Sequence, residues 1–470
     1  MESVITDEQP VVAAAQETDG LRRQLFYLAI PVLCEQLLTF CVGFFDVFLS
    51  GRLGKTETAA IGLSAYVSWL ASMMFSLIGI GTSAIVAREW GAGQFENARR
   101  VLGRSLAMTP FIGVLIFLLL QLMAAGFPRL LKMEGEQLRI AVEYLRFDAF
   151  GQFFAGWTLI AAAGLRGTGD MLTPLRVLLL TNVVNVIVSS ACTFGIIWGE
   201  PAWVIVPSLG VKGIVFGTVI SNICGAAAIT GILFSRSSRL QLFRADLELH
   251  RETIWRVLRI GGPAALGGLC TFVGHFSFLM VIARLSPSGF DGAAFAAHVV
   301  GVRIEALSYL PVEAFGIAAA TLVGQSLGAG QLTRAKQAGH EAVRQCIGYA
   351  GLMTVVFFVF AQQIFAVMHA DAAVAVAGVP AFRLMAMYQI PNAILIVYVN
   401  ALRGAGDTKF PLYCALLGNV LVRVSIGYLF GVYWQMGLLG AWIGMGADNL
   451  LRSFLITWRY VAGRWTRTRV

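Results

Sequence analysis

Charged side chains are scarce in this sequence. They make up 13% of 470 residues, against 57% hydrophobic. Soluble domains carry about a quarter charged residues, so an ordinary water-facing globular surface is excluded. The seven cysteines (Cys34, Cys41, Cys192, Cys224, Cys270, Cys346, Cys414) lie in or beside apolar stretches without CxxC spacing. They read as small buried hydrophobes and exclude a disulfide framework. There is no HExxH and no Cys/His cluster, so no metal site is expected. A GxSxG elbow is also missing. The Gly-Lys-Thr of residues 54–56 lacks the first glycine of a phosphate loop, since Leu49 stands there. Nucleotide hydrolysis is thereby excluded, and any pumping must draw on an ion gradient. No apolar segment has the arginine series of a voltage sensor. No basic stripe is interleaved with aromatics, so nucleic acid is not a partner. No catalytic constellation points to an enzyme.

What is abundant is apolar length. Runs long enough to cross a bilayer recur about twelve times, from 25–49 to 437–461. They are unbroken rather than alternating, which excludes a β-barrel. The expected fold is an all-α polytopic membrane protein with twelve transmembrane helices in two six-helix pseudo-symmetric bundles. Residues 1–21 are polar and acidic, without the basic start of a signal peptide, and read as a mobile cytoplasmic tail. The cations gather in alternate connections. One side holds Arg88, Arg99, Arg100, Arg104, Arg166, Arg176, the arginines of 236–259, Arg334, Lys336, Arg344, Arg403, Lys409 and the basic tail 463–470. The other side has only a few, such as Arg52, Lys55, Arg129 and Lys132. The positive-inside rule then places both termini in the cytoplasm.

The chain also repeats itself. LRGTGD at 165–170 returns as LRGAGD at 402–407, and GAGQ at 91–94 returns at 328–331, both at an offset of 237. Pro174 and Asn182 match Pro411 and Asn419 at the same offset. Six spans per copy make a parallel repeat. The implied organisation is an N-lobe over 22–236, a cytoplasmic linker helix over 237–260 lying at the membrane surface, and a C-lobe over 261–462. The first spans align at an offset of 232 and diverge there. Glu35 faces Gly267, and Asp46 faces Phe278. Unequal acids on a duplicated scaffold predict divided labour.

An ionisable group at membrane depth costs about 2.5–3.5 kcal/mol on insertion scales and is a functional candidate by default. Asp46 and Glu35 are eleven residues apart, sharing one helix face about 16 Å apart along the axis. Pro31 can bend that helix. Both acids are candidates for ion or proton coupling, with Na⁺ near Asp46 as one option. Asp46 could alternatively reach the outer surface near Arg52. Asn182, Asn185 and Ser189 form a polar stripe at i, i+3 and i+7, readable as a cavity lining or as interhelical glue. Gln36 and Thr218 are further cavity candidates. In the second copy, Glu305 and Glu313 are cavity or coupling candidates. His275 reads as packing, Arg423 as the partner of a carboxylate, and Asp448 with Arg452 as an internal ion pair. Glu143, Arg146 and Asp148 crowd the outer end of the fourth span and read as meeting solvent.

Several segments resemble the multidrug and toxic compound extrusion (MATE) family: IPxxxEQLL (30–38), FDVFLSGRLG (45–54), both LRGxGD turns and, most specifically, 296–330. The resemblance covers the full apolar length. It implies alternating access around a central cleft and antiport of organic cations or drugs against H⁺ or Na⁺, with no other cofactor. It places the family's first-span coupling aspartate on Asp46 and the fifth-span asparagine on Asn185. An acid that the family often has four residues later is here Ser189, and the family's span-7 acid position is Gly267. The resulting expectation is a multidrug efflux antiporter, monomeric, lipid-embedded, in a bacterial inner membrane. A flippase for lipid-linked saccharide is the alternative; its phosphate-bearing cargo calls for a cationic cleft, which the first-span acids disfavour.

Overall fold

The computed structural model describes residues 9–130, 133–198, 203–236, 238–286, 289, 292–468 and 470. The first eight residues of the expected tail, Lys132 and Arg469 lie outside them. Helices α1 (Gln9–Gly51), α2 (Lys55–Gly91), α3 (Phe95–Leu130), α4 (Gly135–Gly167), α5 (Leu172–Phe194) and α6 (Val211–Phe234) form the first half. A short antiparallel pair, β1 (Ile196–Trp198) and β2 (Trp203–Val206), joins α5 to α6. The second half holds α7 (Arg251–Ala283), α8 (Ala293–Gly328), α9 (Leu332–Val359), α10 (Ala361–Met368), α11 (Ala372–Met387) and α12 (Gln389–Gly404). The span Lys409–Tyr433 follows, built of α13 (Lys409–Ala415) and α14 (Arg423–Tyr428) with π turns at Leu416–Val422 and Leu429–Tyr433. Helix α15 (Gly437–Val461) and a 3₁₀ turn (Arg464–Arg467) close the chain.

Nine of these helices, among the described residues, are long and apolar enough to cross a membrane, and α11 with α12 makes a tenth bent by 55°. The break falls at Tyr388, where Pro391 cannot donate a backbone hydrogen bond to the preceding turn. Helices α4 and α15 have 33 and 25 residues, long enough to span, but fall short in apolarity. Both spend buried positions on polar residues: Asp148 and Gln152 in α4, Asp448 and Asn449 in α15.

The chain divides into two compact units, residues 34–265 and residues 1–33 with 266–470. Each unit therefore holds the start of the other half's first helix. Leu21, Leu25 and Ala29 of α1 join a core with Val312, Leu322, Tyr398, Ile456 and Trp465. In the unit of 34–265, the opening of α7 packs on α2. A Cβ on Gly81 would lie 2.4 Å from the Val257 carbonyl oxygen, and one on Gly261 would lie 1.6 Å from that of Leu77. Both crossings lie three residues beyond a proline inside the helix, Pro31 in α1 and Pro263 in α7. Gly261→Ala is expected to cost at least about 1–3 kcal/mol, because a backbone atom blocks the new methyl. Thermal stability of the purified protein checks this. Gly262→Ala, whose Cβ would have 4.0 Å to the nearest atom, is the control expected to leave it unchanged.

Among its described residues the connection between the halves holds one 3₁₀ turn (Arg244–Asp246) ahead of α7 and not the expected surface helix. Asp246 accepts from the Phe243 amide at 2.8 Å and forms an ion pair with Arg99, whose Nε lies 3.0 Å away. Gly103 lets this turn press against α3, since a Cβ there would lie 2.6 Å from Asp246. Glu248 pairs with Arg104, whose guanidinium holds its carboxyl below the ordinary glutamate range. Leu240 and Leu242 are buried, and the helix that follows is already α7. Residues 463–468 are likewise docked. Trp465 is fully buried, stacked on Tyr460, which stacks on Tyr398 at 4.3 Å.

The duplicated motifs fold alike. Gly169 and Gly406 have φ +84° and +86°, and Gly93 and Gly330 both +75°. Only glycine enters that region without strain, so these four glycines set identical turns in the two copies.

Candidate functional site

Two polar stripes define the site in the unit of 34–265. Ser64, Ser68 and Ser72 lie at i, i+4 and i+8 on α2. Tyr144, Asp148 and Gln152 lie at the same spacing on α4, so each triplet shares a helix face. The stripes meet. Ser68 Oγ donates to Asp148 Oδ2 at 3.2 Å, and Gln152 Nε2 donates to Ser68 Oγ at 2.9 Å and to Asp148 Oδ2 at 3.0 Å. The Tyr144 hydroxyl lies close to Ser64 on α2 and Thr218 on α6. Thr218 Oγ1 accepts from Asn185 Nδ2 of α5 at 3.3 Å. Asp46 of α1 completes the cluster: its charge acts on both Tyr144 and Asp148. The Asp46 Oδ1 and Asn185 Oδ1 atoms are buried without a hydrogen-bond partner. Among the described residues, neither Asp46 nor Asp148 has a salt bridge to a basic side chain.

Asp148 is 3% exposed, so it does not meet solvent as its place in the sequence suggested. The Ser68 and Gln152 donors draw it inward. Its neighbour Glu143 does face outward, with Lys212 at 3.3 Å and Arg139 at 3.7 Å. Arg52 stacks over Phe48 at 4.9 Å.

Glu35 belongs to a second place in this unit. It pairs with Arg166 of the LRGTGD turn, and both line a cavity of about 260 Å³ with Gln36, Thr39, Thr181 and Asn222. The fifth-span stripe serves three different contacts. Asn182 Nδ2 donates to the Leu38 carbonyl of α1 at 3.3 Å, Asn185 reaches Thr218, and Ser189 Oγ lies 3.4 Å from the Ile214 carbonyl of α6. Ser189 is fully buried against Gly217, where a Cβ would lie 2.0 Å from its hydroxyl. Asn182 and Ser189 thus tie α5 to its neighbours, as the copy Asn419 does by donating to Thr271 of α7 at 3.1 Å.

The other unit builds the same positions with opposite charge balance. Gln389 stands 237 residues after Gln152, and Glu305 stands 237 after Ser68. Gln389 bonds Glu305 and accepts from Ser308 Oγ at 2.7 Å. Arg423 acts on Glu305 and binds Asp448 through Nε at 3.0 Å and Nη2 at 2.7 Å. Arg452 also donates from Nη2 to Asp448 at 2.7 Å. Glu313 accepts from Asn400 Nδ2 at 3.2 Å, and Arg403, the copy of Arg166, acts on it. Asp448 thus has two arginines in contact, and Glu305 and Glu313 each lie within the electrostatic reach of one. His275 lies 6.4 Å from His298, ring to ring, among packed aromatics.

The sequence pattern of the MatE family matches residues 31–190 and 263–429, well over half of the chain. The chain belongs to the MatE family. The probable multidrug resistance protein NorM of Thermotoga maritima is 27% identical over 455 residues, covering 97% of this chain and 95% of that one. An outward-facing multidrug resistance MATE family transporter of the MOP superfamily superposes with a TM-score of 0.85 at 22% identity, over 94% of this chain and 97% of that one. A MOP superfamily transporter from Pyrococcus furiosus, whose reversed pocket polarity is taken to suggest a different function, also reaches 0.85, at 21% identity over 96% and 97%. A shared fold does not by itself fix the charge of a site. The polarity of the residues in this chain must carry the functional reading.

Proposed function

We propose that this MatE transporter is a secondary active multidrug efflux antiporter, exporting bulky apolar organic cations in exchange for H⁺ or Na⁺ by alternating access. The observation that carries the reading is the acid cluster of Asp46, Asp148, Tyr144, Asn185 and Thr218, which has carboxylates and no cation of its own. A buried carboxylate without a basic partner is stabilised by taking up H⁺ or a cation, so its occupancy biases the conformational equilibrium. Asp46 is the coupling carboxylate in this account. Glu35, held by Arg166, would respond only if that pair opens. Organic cations suit soft aromatic and Met side chains through dispersion and cation–π contact. We place the chain in a bacterial inner membrane as a monomer with twelve crossings in two six-helix lobes, α4 and α15 included, and both termini cytoplasmic. A flippase of phosphate-bearing lipid would need the opposite charge at this cluster.

Ethidium efflux from cells expressing the protein, under an imposed pH gradient and then an imposed Na⁺ gradient, tests the reading. Efflux driven by one gradient and abolished by its collapse is expected. Well-expressed protein that moves no organic cation under either gradient would refute it.

A further inference from the structure

We propose that Asp148 is the second carboxylate of the coupling site, so that Asp46 and Asp148 together take up one small monovalent cation per transport cycle. This rests on the reading of Asp46 as the coupling acid and adds a residue that its sequence position hid.

Four observations converge. Asp148 is buried, and among the described residues it accepts hydrogen bonds from the neutral donors Ser68 and Gln152, both to Oδ2. The groups facing the pair are Ser64 and Ser68 from α2, Tyr144 and Gln152 from α4, Asn185 from α5 and Thr218 from α6. All are neutral, so two like charges share a buried space without a counter-ion and their mutual repulsion is relieved by one proton or one metal cation. Independently, Asn185 is 3% exposed and leaves Oδ1 without a donor, while its amide is committed to Thr218. With Asp46 Oδ1, also unpartnered, the cluster presents open oxygen acceptors, as a hard monovalent cation or a protonated carboxyl requires.

The helix packing itself does not demand the acid. In the other unit the position 237 residues after Asp148 is Met385, fully buried, and Gln389 still bonds across to α8. The hydroxyl of Ser189 is meanwhile spent on the α6 backbone, so α5 offers no second acid. In this chain the second carboxylate stands on the fourth helix.

The test uses the purified full chain in lipid nanodiscs: wild type, Asp148→Asn, Asp148→Glu and Asp46→Asn. Na⁺ is titrated calorimetrically at fixed pH, and proton uptake is measured by an indicator dye without Na⁺. Wild type should bind in one arm. Asp148→Asn should weaken that binding at least about tenfold, or displace the pH of half-uptake by at least about one unit, the same energy. Asp148→Glu should recover most of it. Asparagine can still accept from Ser68 and Gln152, so thermal stability should hold; a purely structural residue would lower stability and leave the midpoint in place. Wild-type midpoints in Asp148→Asn, with binding lost in Asp46→Asn, would overturn the two-acid site and leave Asp46 standing. Wild-type midpoints in both variants, or no binding of either cation by wild type, would overturn both.

Discussion

Asp46→Asn is expected to bring gradient-driven efflux down to background, a fall of at least about tenfold, with normal expression and thermal stability. Asparagine keeps the shape of the side chain and removes its charge. The change therefore tests whether the site needs a carboxylate or merely a polar group. Losing only about 1.4 kcal/mol of differential cation binding already changes the equilibrium tenfold. Helix α1 bears on the outcome, because it carries Asp46 in one unit and Leu25 and Ala29 in the core of the other. Substrate should still bind to the variant, since a site without its negative charge fails in exchange before it fails in apolar contact. Ethidium binding by fluorescence polarisation, measured beside efflux, separates the two.

The largest stability effect is expected at Asp448. This side chain is fully buried and holds two guanidinium groups, Arg423 and Arg452. Gly418 makes room for it: a Cβ there would lie 2.1 Å from Asp448 Oδ1. Asp448→Ala leaves two buried cations without their counter-charge, and breaking a buried pair in this way costs about 3–5 kcal/mol. A marked fall in melting temperature and yield should follow, read by size-exclusion chromatography after heating. Replacing Arg423 and Arg452 by Met in the same chain should recover much of the loss, because apolar side chains of similar volume need no partner. Arg139→Ala removes exposed bridges to Glu136 and Glu143 and should change stability by less than about 1 kcal/mol.

These two residues show how the duplicated scaffold divides its work. In the unit of 266–470 Asp448 is held by two arginines, while Arg423 and Arg403 act on Glu305 and Glu313 from a greater distance. Such charges act as tethered counter-ions and have little reason to exchange with solvent cations. In the unit of 34–265, among the described acids of the core cluster and its neighbouring cavity, Glu35 is balanced by Arg166. Asp46 and Asp148 are left to find their positive charge elsewhere.

Much of this was legible in the sequence. The repeat offset located the turns, and the glycines at 93, 169, 330 and 406 carry the same positive φ in pairs. The i, i+4 spacing of Asp448 and Arg452 gave their bond, because neighbours on one helix need no tertiary information. Asp46 stood out by its cost at membrane depth. Asp148 was hidden among Glu143 and Arg146, although the Tyr144–Asp148–Gln152 spacing and the matching serines of α2 were both present. Recognising them as partners required knowing that α2 packs on α4, a long-range fact. Glu35 and Arg166 are 131 residues apart, and neither stripe nor spacing connects them. The sharing of α1 and α7 between units was equally invisible, because Pro31 and Pro263 mark a place on a helix without saying what packs on each side.

The measurement that bears most directly on the central claim is the cation flux per ethidium in proteoliposomes for wild type, Asp46→Asn and Glu305→Gln. The account predicts that Asp46→Asn abolishes coupled flux and that Glu305→Gln keeps the wild-type ratio, whatever its effect on stability. Coupling preserved in Asp46→Asn and lost in Glu305→Gln would contradict it, and would place ion exchange in the unit whose acids are already paired.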